Sequence, residues 1–348
     1  MTATPTMTCI VCIGDRQVEV RQVPIVAPGP EEVRVRIVAS AICGSDLHQY
    51  RQSAAERARL GYSRFALGHE GAGVVEAVGP GVVHPKLGDR VVVYHLAGCG
   101  HCVHCRRGEP GFCAEIRSFS RVWHGSDAES MVLPARNALP LPDDFDFVDG
   151  ALLACNVGTA YGALKKAGAS ADTTLAVFGL GPVGLYTVML GRAFGAAVAG
   201  VDVQPSRRQL AQELGAEAVF DGADPATVAK LKAFGAGEGV HASIDTSGAV
   251  AARTNAIDAL RVHGTYVEVG VSHDTTIRPS QQLMAKEVTL RGSWIFKLYE
   301  WEDLLAFLRR HRLPIQRVVT HRVRPAQAVE MFHLADAATA GKIVFDWS

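Results

Sequence analysis

Alternation of charged and apolar side chains is the first order visible in this chain. From Glu32 to Ala39 the two kinds largely alternate, as in a strand with one buried face. Val74 to Val78 and Val91 to Tyr94 are short runs rich in β-branched residues and read as further strands. Pro24, Pro28, Pro30, Pro80 and Pro85 mark turns between them. The first part of the chain is therefore expected to be β-rich, with Cys9 and Cys12 as small core residues of an early strand.

Near Asp149 the texture changes. Apolar strands at Thr174–Phe178, Ala197–Val201, Ala242–Asp245 and Tyr266–Val269 alternate with helical stretches such as Val183–Phe194 and Ser206–Leu214. Strands separated by helices of that length predict a parallel, doubly wound sheet, so the chain is α/β in class. The tail predicts a helix at Tyr299–His311, a short strand, a helix at Pro325–Leu334 and a last strand at Ile343–Phe345. A closing β segment after an α/β block implies a return to the first domain. The expected division is 1–154, 155–290 and a returning segment 291–348.

Composition narrows the class. Of 348 residues, 48% are hydrophobic and 20% charged, which allows a real core. The 35 basic and 35 acidic side chains cancel, so no basic face is implied and a nucleic-acid partner is not expected. No charge falls between Asp172 and Arg192, but Gly179, Gly181, Pro182 and Gly184 punctuate that run. A strand, turn and helix explain it better than a membrane span. Met1 to Pro5 shows no basic region leading into an apolar run, so no signal peptide is expected there. With eight cysteines unevenly spread, metal-bound thiolates in a reducing cytoplasm are the natural expectation.

The strand Thr174–Phe178 runs into Gly179-Leu180-Gly181-Pro182-Val183-Gly184, and a helix follows. Glycines there permit a tight turn and close approach of backbone to a pyrophosphate, and the helix N-terminus attracts its charge. The next strand ends at Asp202, eighteen residues past Gly184. A carboxylate at that place bonds a ribose 2′-hydroxyl and repels a 2′-phosphate, favouring NAD over NADP. Arg207 and Arg208 complicate the choice, since either could meet a 2′-phosphate; Arg207 is alternatively placed to cover the adenosine ribose.

Cys99, Cys102, Cys105 and Cys113 are separated by two, two and seven residues. Four thiolates that close a tetrahedron suit zinc or an iron–sulfur centre rather than a hard cation. His101 and His104 stand outside a shell already filled. Such a site, at about 95–115, would pin a loop that packs poorly alone. Three more candidates are scattered: Cys43 in Cys-Gly-Ser-Asp-Leu-His48, His69 in Gly-His-Glu70, and Cys155 four residues before Thr159. Singly, each is unremarkable.

Together these motifs, in this order from about Val33 onward, resemble the zinc-containing medium-chain alcohol dehydrogenase family, whose catalytic zinc is held by a Cys₂His set. The resemblance implies a GroES-like β-rich catalytic domain and a Rossmann cofactor domain. It implies two zinc ions per chain: a structural one on the four-cysteine lobe, and a catalytic one on Cys43, His69 and Cys155. Glu70 would lie beside the latter as a neighbour or transient ligand. Ser45 would bond the substrate hydroxyl, and His48 would pass its proton to solvent through the cofactor ribose. Thr159 would contact the nicotinamide side. The reaction implied interconverts an alcohol (primary, secondary, cyclic or polyol) and an aldehyde or ketone with NAD, in a homodimer or homotetramer. Two departures stand out: Gly44 replaces a pyrophosphate-binding cation of some members, and Cys155 stands where polyol dehydrogenases often carry Glu, which leans towards simple alcohols. Phe119, Trp123, His124, Trp294 and Phe296 are expected either to line a substrate pocket or to pack in a core. A zinc-independent double-bond reductase of the same superfamily, or a non-enzymatic zinc-binding protein, is the alternative.

Overall fold

The computed structural model describes residues 5–121, 123–271 and 273–348; Met1 to Thr4 of the stretch read for a signal peptide lie outside the described residues. The chain forms two compact units, Met1–Cys155 with Val319–Ser348, and Asn156–Val318.

In the first unit, the expected alternation from Glu32 gives the strand Glu32–Ala41, which buries every second side chain over most of its length. It is the centre of a sheet ordered Val319–Val323, Lys342–Asp346, Glu32–Ala41, Glu70–Val78, Arg90–Val93, Ala138–Pro140, with Ser130–Pro134 also paired to Glu32–Ala41. The C-terminal strand does return to this unit, pairing antiparallel with Glu32–Ala41. Register decides what meets at the end of that central strand. Ala41 lies opposite Glu70 on one side and opposite Val344 on the other. Chain segments far apart in sequence, at Cys43, Glu70 and Lys342, are thereby drawn to one corner. Cys9 and Cys12 are buried in the early strand Thr6–Gly14.

The second unit is a six-stranded, wholly parallel sheet in the order Ala218–Asp221, Ala197–Asp202, Thr174–Phe178, Val240–Asp245, Leu260–Glu268, Thr289–Gly292. Strand order reverses next to Thr174–Phe178, the first strand in sequence, and ligands of open α/β sheets bind at such a point. The uncharged run 172–192 is a strand, a turn and the helix Pro182–Ala193. A second run, Phe147–Ala167, is long and apolar enough to cross a membrane, yet 83% of its most apolar window is buried inside the protein, as in a core helix.

The return to the first unit begins at Val319 rather than 291. Residues 289–292 form the edge strand of the parallel sheet, and the helix Trp301–His311 also belongs to the second unit. That edge strand is exposed at all four positions, so it carries no apolar run to betray it.

Candidate metal centre and cofactor turn

Cys43 is the N-cap of the helix Gly44–Arg51. The Asp46 carboxylate closes that cap, accepting the Cys43 N–H at 2.9 Å through one oxygen. Its other oxygen lies 3.1 Å from His69 Nδ1. Asp46, fully buried, thus fixes two candidate ligands at once. An Nδ1–H donated to this carboxylate leaves the lone pair of His69 on Nε2, free for a metal. Gly68 precedes His69 at φ +84°, and a Cβ there would sit 2.4 Å from an Asp127 oxygen, so only glycine permits this approach. Cys155 lies in a π-helical turn, Leu153–Val157, between two α-helical stretches. A π-turn changes which way successive side chains point, and it is frequent at functional sites.

These elements bring Cys43 Sγ, His69, Glu70 and Cys155 Sγ together, with one donor atom from each lying within 4.8 Å of all the others. Tetrahedral zinc with bonds of ~2.0–2.3 Å needs donor separations of ~3.3–3.8 Å, so the set fits the ion without a change of fold. The Cys43 and Cys155 thiols are hydrogen-bonded to each other. A hydrogen bond from Cys155 holds the Cys43 thiol well below its ordinary value and, with burial, raises that of Cys155. Burial alone would lower His69, but Asp46 and Cys43 outweigh it and raise its pKa well above the usual imidazole range.

Glu70 and Lys342 are both fully buried and form an ion pair beside this set, and the Lys342 ammonium also donates to the Ile42 carbonyl at 2.7 Å. Burial lifts Glu70 to about 8 despite the opposing lysine. His95, at the end of the strand Arg90–Val93, brings its ring centroid 4.6 Å from that of His69. Burial, then the neighbouring His69, lowers its pKa to about 3, so it is neutral. Ser45 Oγ lies 3.4 Å from His69 Nε2, and His48 is exposed one helical turn after Ser45.

Sequence reasoning passed over Asp46, His95, Asp127 and Lys342. Only Asp46 carried a signal, as a carboxylate three residues after an N-cap. Asp127 is fully buried; Ser40 donates to one oxygen at 2.7 Å and the other has no partner. Burial, then Asp46, raises its pKa from 3.8 to about 7. An acid whose folded pKa is raised keeps its proton while the unfolded chain loses it. Stability therefore falls as pH climbs from about 4 to about 7 and then levels. Asp127→Asn removes that penalty. Its thermal midpoint, followed by circular dichroism, is expected above wild type at pH 8 and close to it at pH 4. Parallel profiles for the two proteins would disprove the assignment.

At the second cluster, the sulfurs of Cys99, Cys102, Cys105 and Cys113 also lie within 4.8 Å of one another. Backbone N–H groups point at sulfur: Cys102 N to Cys99 and Cys99 N to Cys113, each at 3.4 Å. Backbone N–H groups of His101 and Cys102 lower Cys99 to about 6, while burial pushes Cys105 to about 12. This donor set, too, suits a closed tetrahedral zinc.

In the second unit, Gly179 adopts φ +83° and a Cβ on Gly184 would meet the Gly179 carbonyl at 1.9 Å, so helix and turn touch only because both are glycine. Gly181, the N-cap of Pro182–Ala193, has no atom within 4 Å of a built Cβ and leaves the helix N-terminus open. Val183 is in the first turn, its carbonyl accepting from Thr187 at 2.8 Å. Leu180 N donates to Asp202 at 2.7 Å, and Gln204 N to its other oxygen at 2.8 Å. Arg207 Nη1 is 3.9 Å from Asp202, whereas Arg208 is committed to the Asp202 and Val203 carbonyls. Thr159 is buried on the helix Gly158–Ala167.

Of the aromatic candidates, Phe119 packs with Trp123 in the first unit's core and His124 accepts from Ala66 N. Phe296 is fully buried against Trp301 in the second unit, and Trp294 is half exposed.

Comparison with known proteins agrees in order and extent. Residues 29–143 match the alcohol dehydrogenase GroES-like domain and residues 182–310 the zinc-binding dehydrogenase family. The uncharacterized zinc-type alcohol dehydrogenase-like protein YphC of Escherichia coli is 34% identical, covering 98% of this chain and 99% of its own. Sorbitol dehydrogenase of Arabidopsis thaliana is 30% identical over 89% of this chain and 86% of its own. A putative zinc-binding dehydrogenase of Sinorhizobium meliloti, solved bound to NADP, superposes with a TM-score of 0.86 at 26% identity, over 98% and 99% of the two chains. The chain belongs to the zinc-containing medium-chain alcohol dehydrogenase family, and it is an oxidoreductase built from a GroES-like and a Rossmann domain.

Proposed function

We propose that this enzyme oxidises an alcohol or polyol to the carbonyl compound with NAD, using one catalytic and one structural zinc per chain. The observation that carries the reading is the convergence of Cys43, His69, Glu70 and Cys155 within 4.8 Å. Cys43, His69 and Cys155 would hold the catalytic ion, with Glu70 beside it, and Cys99, Cys102, Cys105 and Cys113 the structural one. When bound, zinc supplies Lewis-acid polarisation of the substrate oxygen and lowers its pKa.

The chain's own groups do the rest. Asp46 keeps His69 in the tautomer that offers Nε2. Ser45 Oγ accepts the proton leaving the substrate hydroxyl, and exposed His48, on the same helix face, hands it to solvent. The turn Gly179-Leu180-Gly181-Pro182-Val183-Gly184 offers the pyrophosphate the backbone N–H groups of Gly181, Val183 and Gly184 at the helix N-terminus, those of Gly179 and Leu180 being held by the Val201 carbonyl and Asp202. Thr159 positions the nicotinamide. Asp202, held by two backbone N–H groups, is preset to accept from a ribose hydroxyl, and Arg207 covers the adenosine side. We place the enzyme in the cytoplasm as a homodimer or homotetramer, with no membrane or nucleic-acid partner.

The test is reduced-cofactor formation at 340 nm with a panel of alcohols and polyols, NAD and NADP in parallel, before and after chelation. Chelator-sensitive turnover that prefers NAD is expected. A zinc-loaded protein that oxidises nothing on the panel, or works equally well stripped of metal, would overturn the proposal.

A further inference from the structure

One polar side chain beside the metal donors has no task in the mechanism above. His95 is not among the groups that converge as ligands, yet its ring lies edge-on to that of His69. Its Nδ1 is shielded from solvent and has no hydrogen-bond partner, while the ring as a whole remains partly exposed. Phenylalanine or leucine would fill this volume without a stranded nitrogen. A buried polar atom left unmatched is costly, and one beside a reaction centre points to a partner that arrives with the substrate.

The chemistry of that partner can be narrowed. The other ring nitrogen of His95 is taken by the Ala154 backbone, so Nδ1 is the atom left to pair. A ring that donates to a backbone carbonyl through one nitrogen presents the other as an acceptor, which the acceptor oxygens of a carboxylate or phosphate do not match. A hydroxyl can donate to Nδ1. The closeness of the two rings puts His95 next to, and not on, the centre that would hold the reacting oxygen. We infer that His95 hydrogen-bonds a second hydroxyl of the substrate, on the carbon adjacent to the reacting one, and thereby selects vicinal diols and polyols over monoalcohols. The inference rests on the dehydrogenase reading. It also offers a route to polyol recognition in a chain that carries Cys155 where many polyol enzymes have Glu.

The experiment compares kcat/KM for butane-2,3-diol and sorbitol with that for butan-2-ol, in the zinc-loaded full chain with NAD. Wild type, His95→Phe and His95→Asn are assayed, with zinc content measured for each. Wild type is expected to prefer the diol. His95→Phe is expected to lower the diol-to-monoalcohol ratio at least tenfold, and His95→Asn, whose amide can donate and accept, to recover part of it. A second readout is independent of turnover: stabilisation of the NADH-loaded protein by sorbitol, seen as a rise in melting temperature, should shrink in His95→Phe and partly return in His95→Asn. A ratio unchanged in His95→Phe, or a wild type that prefers butan-2-ol, overturns the inference and leaves the dehydrogenase reading intact. If His95→Phe does not fold, the wild-type ratio and the His95→Asn variant decide in the same way. Failure of wild type on all three alcohols instead removes the dehydrogenase reading itself.

Discussion

In Cys43→Ser, alcohol-dependent NAD reduction is expected to fall by about three orders of magnitude or more, with zinc dropping from about two ions per chain to about one. The size follows from what is lost. Polarisation of the substrate oxygen by a metal is worth several kcal/mol, and each ~1.4 kcal/mol is a factor of ten in rate. The fold should survive, for a local reason. Cys43 caps the helix Gly44–Arg51, and serine is among the best N-caps, so the helix start loses nothing. The Asp46 carboxylate can still accept the backbone N–H of residue 43. Cys105→Ser is the matching control. It removes a donor of the other cluster and is expected to lower stability steeply while leaving the Cys43 set whole. Metal analysis, circular dichroism and the NAD assay on both variants separate the two sites. Full activity in Cys43→Ser would remove it from the catalytic centre.

How much of this was legible beforehand depends on where each constraint acts. The turn after Thr174–Phe178 could be read because its glycines answer local demands, a positive φ at Gly179 and a carbonyl 1.9 Å from a Cβ on Gly184. The four-cysteine lobe could be read because its ligands sit within one loop. The ends of the parallel sheet could not. Ala218–Asp221 has an apolar run of only three residues, too short to tell a strand from a helix, and Thr289–Gly292 is exposed throughout with no apolar run, so the return to the first unit is expected too early. The π-turn around Cys155 arises from a shifted hydrogen-bond pattern with no residue signature. Lys342 is the clearest limit. It begins a strand otherwise made of Ile343, Val344 and Phe345, and nothing local says that its ammonium is buried. That depends on the register that sets Ala41 between Glu70 and Val344.

Lys342→Met tests that buried pair, with an expected loss of about 3 kcal/mol at pH 8, or roughly 5–10 °C in melting temperature. Met keeps the length and bulk of the side chain, so the loss reports charge rather than a cavity. It leaves Glu70 buried without its cation, and the Ile42 carbonyl without its donor. The pH dependence identifies the cause. Burial already raises Glu70 to about 8, and removing the lysine, which opposes that shift, raises it further. Below that value the lone carboxyl of the variant takes up a proton and sheds most of its desolvation penalty. The gap between variant and wild type should therefore stay nearly constant from pH 6 to pH 8 and widen above pH 8, where wild-type Glu70 ionises and the variant's does not. The double variant Lys342→Met with Glu70→Gln should regain much of the loss, because replacing both members of a buried ion pair is far milder than orphaning one. The cation also faces the Cys43 and Cys155 thiols. Lys342→Met should accordingly disfavour their thiolate forms and weaken zinc retention against a chelator, an effect that Glu70→Gln alone does not predict. A variant as stable as wild type at pH 8 would mean that the pair contributes nothing to the corner where the metal ligands meet.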